Sequence, residues 1–198
     1  MLYFSPVHLP NKLAGPVTFL GLFALVDFKR IGILMALGLV MSALGDWQGT
    51  QGNFLGQMGF FGLAHVAYIC YFVSRLRTKL DWKIAVGLAI PCIIIGAFAF
   101  INVVPMVPTG VIKIGVIVYC LLILTMLWSS LLQMDVWFAL GAALFVISDF
   151  ILAWNKFVTP IAYASWFIMV PYYGAQWLLF YRATCVASGA CSCISQEK

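Results

Sequence analysis

Seven apolar runs set the terms on which this chain can fold. They extend roughly over Leu13–Val26, Ile31–Gly45, Phe54–Ser74, Trp82–Asn102, Val111–Trp128, Val136–Ala153 and Pro160–Tyr181. At about 1.5 Å of rise per residue the longer runs cross a ~30 Å hydrocarbon layer, and the first two fall short. Hydrophobic residues make up 64% of the chain and charged ones only 9%, where a soluble domain carries about a quarter charged. So much apolar surface cannot be hidden inside 198 residues, and lipid must cover the remainder.

Within lipid every backbone amide needs a partner in the protein, so the runs are expected to be helices despite their Val and Ile content. A transmembrane barrel would need strict alternation, which CIIIGAFAFI (Cys92–Ile101) does not show. The expected fold is all-α: a polytopic transmembrane bundle with seven helices. Residues 1–182 read as one transmembrane domain and residues 183–198 as a short cytosolic tail carrying Cys185, Cys191 and Cys193. The first stretch, MLYFSPVHLPNKLAG, is broken by two prolines and lacks a basic start with an apolar core, so the helices themselves are expected to direct membrane insertion. Gly56, Gly59 and Gly62 have spacings suited to close helix contact.

Basic residues fix an expected orientation. Lys29 and Arg30 follow the first run, Arg75, Arg77, Lys79 and Lys83 surround the link after the third, and Arg182 follows the last. With alternating helices these clusters share one side, which the positive-inside tendency makes cytosolic. Lys12 and Lys156 are then exceptions on the far side. The basic residues are topology signals, so no nucleic-acid partner is expected.

Two runs resemble each other. ALGLVMSALGD (Ala36–Asp46) and ALGAALFVISD (Ala139–Asp149) open alike and end on a carboxylate at the same distance. They occupy the second and sixth helices, which point the same way, as a four-plus-four duplication lacking its first helix would require. A lipid-facing carboxylate costs several kcal/mol, so both Asp46 and Asp149 are expected to face the bundle interior or a wet cleft.

Other polar residues in the runs are further site candidates. His65 and Tyr68 lie one helical turn apart, as do Tyr172 and Gln176. Asn102 closes the fourth run on the side of the two aspartates. No G-x-S-x-G element, phosphate loop or H-E-x-x-H pair is present, which argues against a serine hydrolase, a nucleotide-using enzyme and a zinc protease. The tail cysteines lack the His and acidic neighbours of a tetrahedral metal site.

The order of these elements carries a resemblance. SALGD (Ser42–Asp46), Phe54 with His65 and Tyr68 following it, Gly141 through Ser148–Asp149, and Tyr172 with Gln176 resemble the YhhN-like family of membrane proteins, which includes the animal lysoplasmalogenases. The resemblance covers roughly Leu34 to Arg182. It implies a bundle of usually eight helices in the endoplasmic reticulum, with the C-terminus cytosolic. The implied activity is hydrolysis of the vinyl ether of a lysoplasmalogen to a fatty aldehyde and glycerophosphoethanolamine or glycerophosphocholine. Family members usually carry an extra first helix and a Lys close to a Pro; only Lys12 and Pro16 can match that element here.

Protonation of the vinyl β-carbon, capture of the oxocarbenium ion by water and collapse of the hemiacetal require one acid that holds its proton and one group that stays negative. Asp149 is the expected donor and Asp46 its ionised mate, with the roles exchangeable. His65 is the candidate proton shuttle, oriented by Tyr68. Lys12, Tyr68, Asn102, Tyr172 and Gln176 are candidate contacts for the lysophospholipid substrate, and no metal or organic cofactor is required. A proton-coupled or small-molecule transporter and a non-enzymatic lipid-binding protein are the competing readings.

Overall fold

A computed structural model of the chain describes residues 20–24, 31–76 and 81–189. Lys12, Cys191, Cys193 and most of the first apolar run lie outside the described residues. The described part contains six long helices: α1 (Ile33–Thr50), α2 (Phe54–Val73), α3 (Trp82–Asn102), α4 (Val111–Leu131), α5 (Val136–Phe157) and α6 (Ala164–Ser188). A 3₁₀ turn at Val104–Met106 follows α3, residues 20–24 are also helical, and no strand occurs among the described residues.

Short links make successive helices antiparallel, so the bundle has two ends. The links at 51–53, 103–110 and 158–163 form one end, called upper here, and residues 74–76, 81 and 132–135 lie at the lower end. Four of the six helices are long and apolar enough to cross a membrane by themselves: α2, α3 with its 3₁₀ extension, α4 and α5. Their outward residues are apolar and bare, as with Ile93 at 66% and Ile101 at 72% exposure, the surface a lipid solvent requires.

Caps explain where several helices begin. Asn53 accepts from Gly56 N (3.0 Å) ahead of α2, and Asp81 accepts from Lys83 N (2.9 Å) ahead of α3. Asp135 accepts from Trp137 N (3.0 Å) and Phe138 N (3.3 Å) ahead of α5, satisfying amides left open at a helix start. The other Asp135 oxygen takes Arg182 Nε at 2.6 Å, tying α5 to α6 at the lower end.

The apolar run through Gly45 predicts a helix that stops near Asp46. Helix α1 instead continues to Thr50, because Asp46 finds a hydroxyl partner on α6 and needs no exit to water. Helix α6 likewise runs past Arg182 to Ser188, and Cys185 is buried on it. The glycine trio of α2 serves three separate purposes. Gly56 lies beneath the Asn53 cap and against Gln48 of α1, Gly59 faces open space, and Gly62 meets α4 at Leu122.

In a bilayer, helices associate through packing and hydrogen bonds, with little hydrophobic drive. The closest pairs are α1 with α2 and α5 with α6, and the two similar runs supply the reason. A Cβ on Gly38 would lie 2.2 Å from Cε1 of Tyr68 on α2. A Cβ on Gly141 would lie 3.0 Å from Cδ2 of Leu179 on α6. The glycine of each Ala-Leu-Gly opening is therefore the socket for a large side chain of the next helix. Phe61, Phe145, Tyr172 and His65 then fill the centre with edge-to-face ring contacts, Phe145 lying 4.8 Å from His65 and 5.5 Å from Tyr172 by centroids.

Candidate active site

Two polar clusters cross the middle of the bundle, separated by the Phe61 and Phe145 rings. The first joins α2, α4 and α5. His65 lies roughly 17 Å along α2 from its upper end, and Tyr119 and Asp149 lie ~12 Å from the upper ends of α4 and α5. The depths nearly match, so the three side chains meet. The Tyr119 hydroxyl donates to Oδ2 of Asp149 and lies 3.0 Å from Nε2 of His65. His65 Nε2 and Asp149 Oδ2 are themselves 3.7 Å apart.

This arrangement fixes an order of protons. A Tyr119 hydroxyl that donates to Asp149 must accept from His65, so the His65 proton belongs on Nε2. Nδ1 is then a lone-pair site, buried and without a hydrogen-bond partner among the described residues. His65 is fully buried while the Asp149 side chain keeps 11% exposure. The carboxyl is thus the reachable end of the chain and the imidazole its enclosed end.

The second cluster joins α1, α2 and α6. Tyr172 donates to Oδ2 of Asp46 at 2.9 Å, and Tyr68 donates to Oε1 of Gln176 at 2.8 Å. The Gln176 amide is also within reach of the Tyr172 hydroxyl, and the Ser42 hydroxyl sits beside Tyr68. Hydrogen bonds join these residues as two pairs, Tyr172 with Asp46 and Tyr68 with Gln176, while Gln176 Nε2 has no hydrogen-bond partner among the described residues and Ser42 donates to Gly38 O at 2.9 Å. The Asp46 carboxylate is near enough to Asp149 for their charges to interact.

Open space adjoins the first cluster. A cavity of about 530 Å³ lies among α3, α4 and α5, lined by Ile95, Ala99, Cys120, Ile123, Val146 and Phe150 around Tyr119 and Asp149. A second, about 430 Å³, lies among α2, α4 and α5, lined by Phe54, Gln57, Met58 and Phe157. Val116, Tyr119, Asp149 and Ala153 belong to both. The Tyr119–Asp149 pair is a polar partition between two apolar chambers.

Of the residues picked out from the sequence, Asp149 faces both chambers, and His65 stands behind it through Tyr119. Asp46 and Tyr172 form the upper part of the second cluster, and Tyr68 and Gln176 its deeper part. Asp46 lines neither chamber. Tyr68 is not the partner of His65, since its hydroxyl turns to Gln176. Asn102 ends α3 with its amide on Phe98 O at 2.8 Å, and Lys12 lies outside the described residues. Tyr119 was not among the sequence candidates. The one signal for it was a phenol in the middle of VIVYCLLIL (Val116–Leu124), where a hydroxyl at membrane depth requires a partner.

Ser148, beside Asp149, donates to Ile168 O at 2.8 Å, in the turn before Pro171. That bond stitches α5 to α6 where the proline weakens the helix ladder. Among the described residues no three His, Cys, Asp or Glu side chains converge as a metal site.

The chain has relatives among known proteins. It is 35% identical to the lysoplasmalogenase TMEM86A of Bos taurus over 160 residues, covering 72% of this chain and 62% of the bovine protein. It is 33% identical to the lysoplasmalogenase TMEM86A of Homo sapiens over 193 residues, covering 83% of this chain and 73% of the relative. With the lysoplasmalogenase TMEM86B of Homo sapiens it shares 32% over 153 residues, or 74% and 61% respectively. It thus spans less than two thirds of two of these three relatives. No solved structure matches. A family model described as the YhhN family matches residues 12–183, and the chain belongs to that family.

Proposed function

We propose that this protein is a membrane hydrolase that cleaves the vinyl ether of lysoplasmalogens, releasing a fatty aldehyde and a glycerophosphoethanolamine or glycerophosphocholine. The observation that carries the reading is a buried His65–Tyr119–Asp149 proton chain ending on the wall of two apolar chambers. The names of the relatives supply the substrate class.

In this mechanism Asp149 begins protonated. It gives its proton to the β-carbon of the vinyl ether, and the double-bond electrons form the new C–H bond. The α-carbon becomes an oxocarbenium ion beside the carboxylate just created, which stabilises it. Water adds to the α-carbon and returns a proton to Asp149. Collapse of the hemiacetal breaks the bond between the α-carbon and the glycerol oxygen, giving aldehyde and alcohol with one water consumed. Tyr119 and His65 hold the carboxyl correctly turned. Asp46 acts through its charge, from behind the Phe61 and Phe145 rings, and Tyr172 holds it in place. The apolar chambers hold the alkenyl chain and limit access of bulk water to the cation.

The proposed setting is the endoplasmic reticulum membrane with the lower end and the C-terminus in the cytosol. The position of Arg75, Lys83 and Arg182 at the lower end supports that orientation.

The test is to supply lysoplasmenylethanolamine to the detergent-purified protein in deuterated water and trap the aldehyde at once as a hydrazone. The mechanism requires one deuterium on the carbon next to the carbonyl and loss of turnover in Asp149→Asn. An aldehyde without that deuterium, or full activity in the folded variant, refutes it.

A further inference from the structure

Two lysines stand where the distribution of charge disfavours them. Lys113 and Lys156 lie at the upper end, opposite the basic clusters. Lys156 follows Asp149 by about two helical turns on α5, roughly 10 Å along the same face. Its Nζ lies 4.3 Å from the centroid of Phe54, and Phe54 lines the chamber among α2, α4 and α5. Lys113 precedes Val116 and Cys120 at helical spacing on α4, and both of those residues line chamber walls. Among the described residues neither lysine is paired with a carboxylate. Both lysines thus lie toward the upper ends of helices that wall the chambers, nearer those ends than Tyr119 and Asp149 are, and Lys156 touches the wall through Phe54.

We infer that Lys156 and Lys113 bind the phosphate of a lysophospholipid and so set the register of the whole substrate. The inference rests on the proposed vinyl ether hydrolase and deepens it. With the phosphate held at the upper end, the glycerol descends through the chamber lined by Phe54 and Gln57. The vinyl ether, which joins glycerol to chain, then reaches the partition, and the hydrocarbon continues into the chamber lined by Ile95, Cys120 and Ile123. The order of chemical groups in the lipid matches the order of cation, acid and apolar cavity in the protein. Phe54 steers the Lys156 ammonium over its face and keeps it against the chamber wall. A small polar head lacking phosphate would gain nothing from this pair, so the site selects for an anionic head beside an apolar tail.

Binding of two stable ethers separates this inference from the reaction. A saturated alkyl lysophosphatidylcholine and the alkylglycerol of equal chain length are titrated into detergent-purified protein, with tryptophan fluorescence as the readout. Lys156→Gln and Lys113→Gln are each expected to weaken the phospholipid by roughly tenfold, as for loss of one charge-assisted contact, and to leave the alkylglycerol unchanged. Lys156→Arg should retain most of the affinity. With lysoplasmenylethanolamine the Gln variants should raise KM and leave kcat near wild type. Equal phospholipid affinity in wild type and variants, or equal weakening of both ethers, overturns the assignment of these lysines. Because neither ether is cleaved, loss of the hydrolase reading would show only in the absence of aldehyde release.

Discussion

Replacing Tyr119 by Phe removes one oxygen and with it both bonds that join His65 to Asp149. Hydrogen bonds between membrane helices contribute about 0.6 kcal/mol on average and up to ~1.7 kcal/mol, so losing two costs about 1–3 kcal/mol of stability. The 3.7 Å gap between His65 Nε2 and Asp149 Oδ2 offsets part of that loss, since a small ring shift lets them pair directly. The effect on rate should be larger. Positioned acid–base catalysis supplies about 10²–10⁴-fold, and a carboxyl without its positioning hydroxyl and free to turn should lose at least ~10² in kcat. The assay is aldehyde release in detergent, with thermal melting as the measure of folding. His65→Gln and the His65→Gln/Tyr119→Phe double variant complete the set. If the three residues act as one unit, the double variant is no slower than the slower single variant. A Tyr119→Phe enzyme within about threefold of wild-type kcat, or losses that multiply in the double variant, would refute that coupling.

Other perturbations test the frame around the site. Gly38→Ala drives a methyl into Tyr68 at 2.2 Å from Cε1, so it should cost roughly 1–3 kcal/mol and lower the melting temperature, whereas Gly59→Ala, with open space around it, should leave the melt unchanged. Asp135→Ala removes both the cap of α5 and the partner of Arg182. It should destabilise by about 1–3 kcal/mol, more than Arg182→Gln, as read in chemical or thermal unfolding. Cys120→Trp fills the chamber among α3, α4 and α5 and should shift preference toward shorter alkenyl chains, measured by competition between chain lengths. An unchanged preference would remove that chamber as the chain site.

The helical bundle was legible because lipid leaves a chain this apolar few options, and the run boundaries fell close to the helices wherever caps were local, as at Asp81 and Asp135. Boundaries slipped where the deciding contact was distant in sequence. Helix α1 outruns Gly45 because Tyr172, on the last helix, takes up Asp46. The same distinction divides the polar residues. Asp46, Asp149, His65 and Gln176 announce themselves by chemistry, since each is costly at membrane depth without a partner. Which partner each chooses depends on helix rotation, which one chain's periodicity does not encode. Spacing joined Tyr68 to His65, yet rotation of α2 sends the phenol to Gln176 and the imidazole to Tyr119. Tyr119 itself was hidden because a tyrosine among Val, Cys and Leu looks like packing until its hydroxyl is located.

Helix α3 packs chiefly against α4, presents Ile93 and Ile101 outward, and carries Pro91 in its middle. It is also the outer wall of the larger chamber, through Ile95 and Ala99. In the proposed reaction, a site screened from the bilayer by one proline-bearing helix would be fed from the side, by molecules diffusing in two dimensions. Occupancy of such a site follows the mole fraction of substrate among its neighbouring lipids, so dilution with inert lipid slows turnover at constant bulk concentration, and the thickness and fluidity of the surrounding leaflet become part of the kinetics.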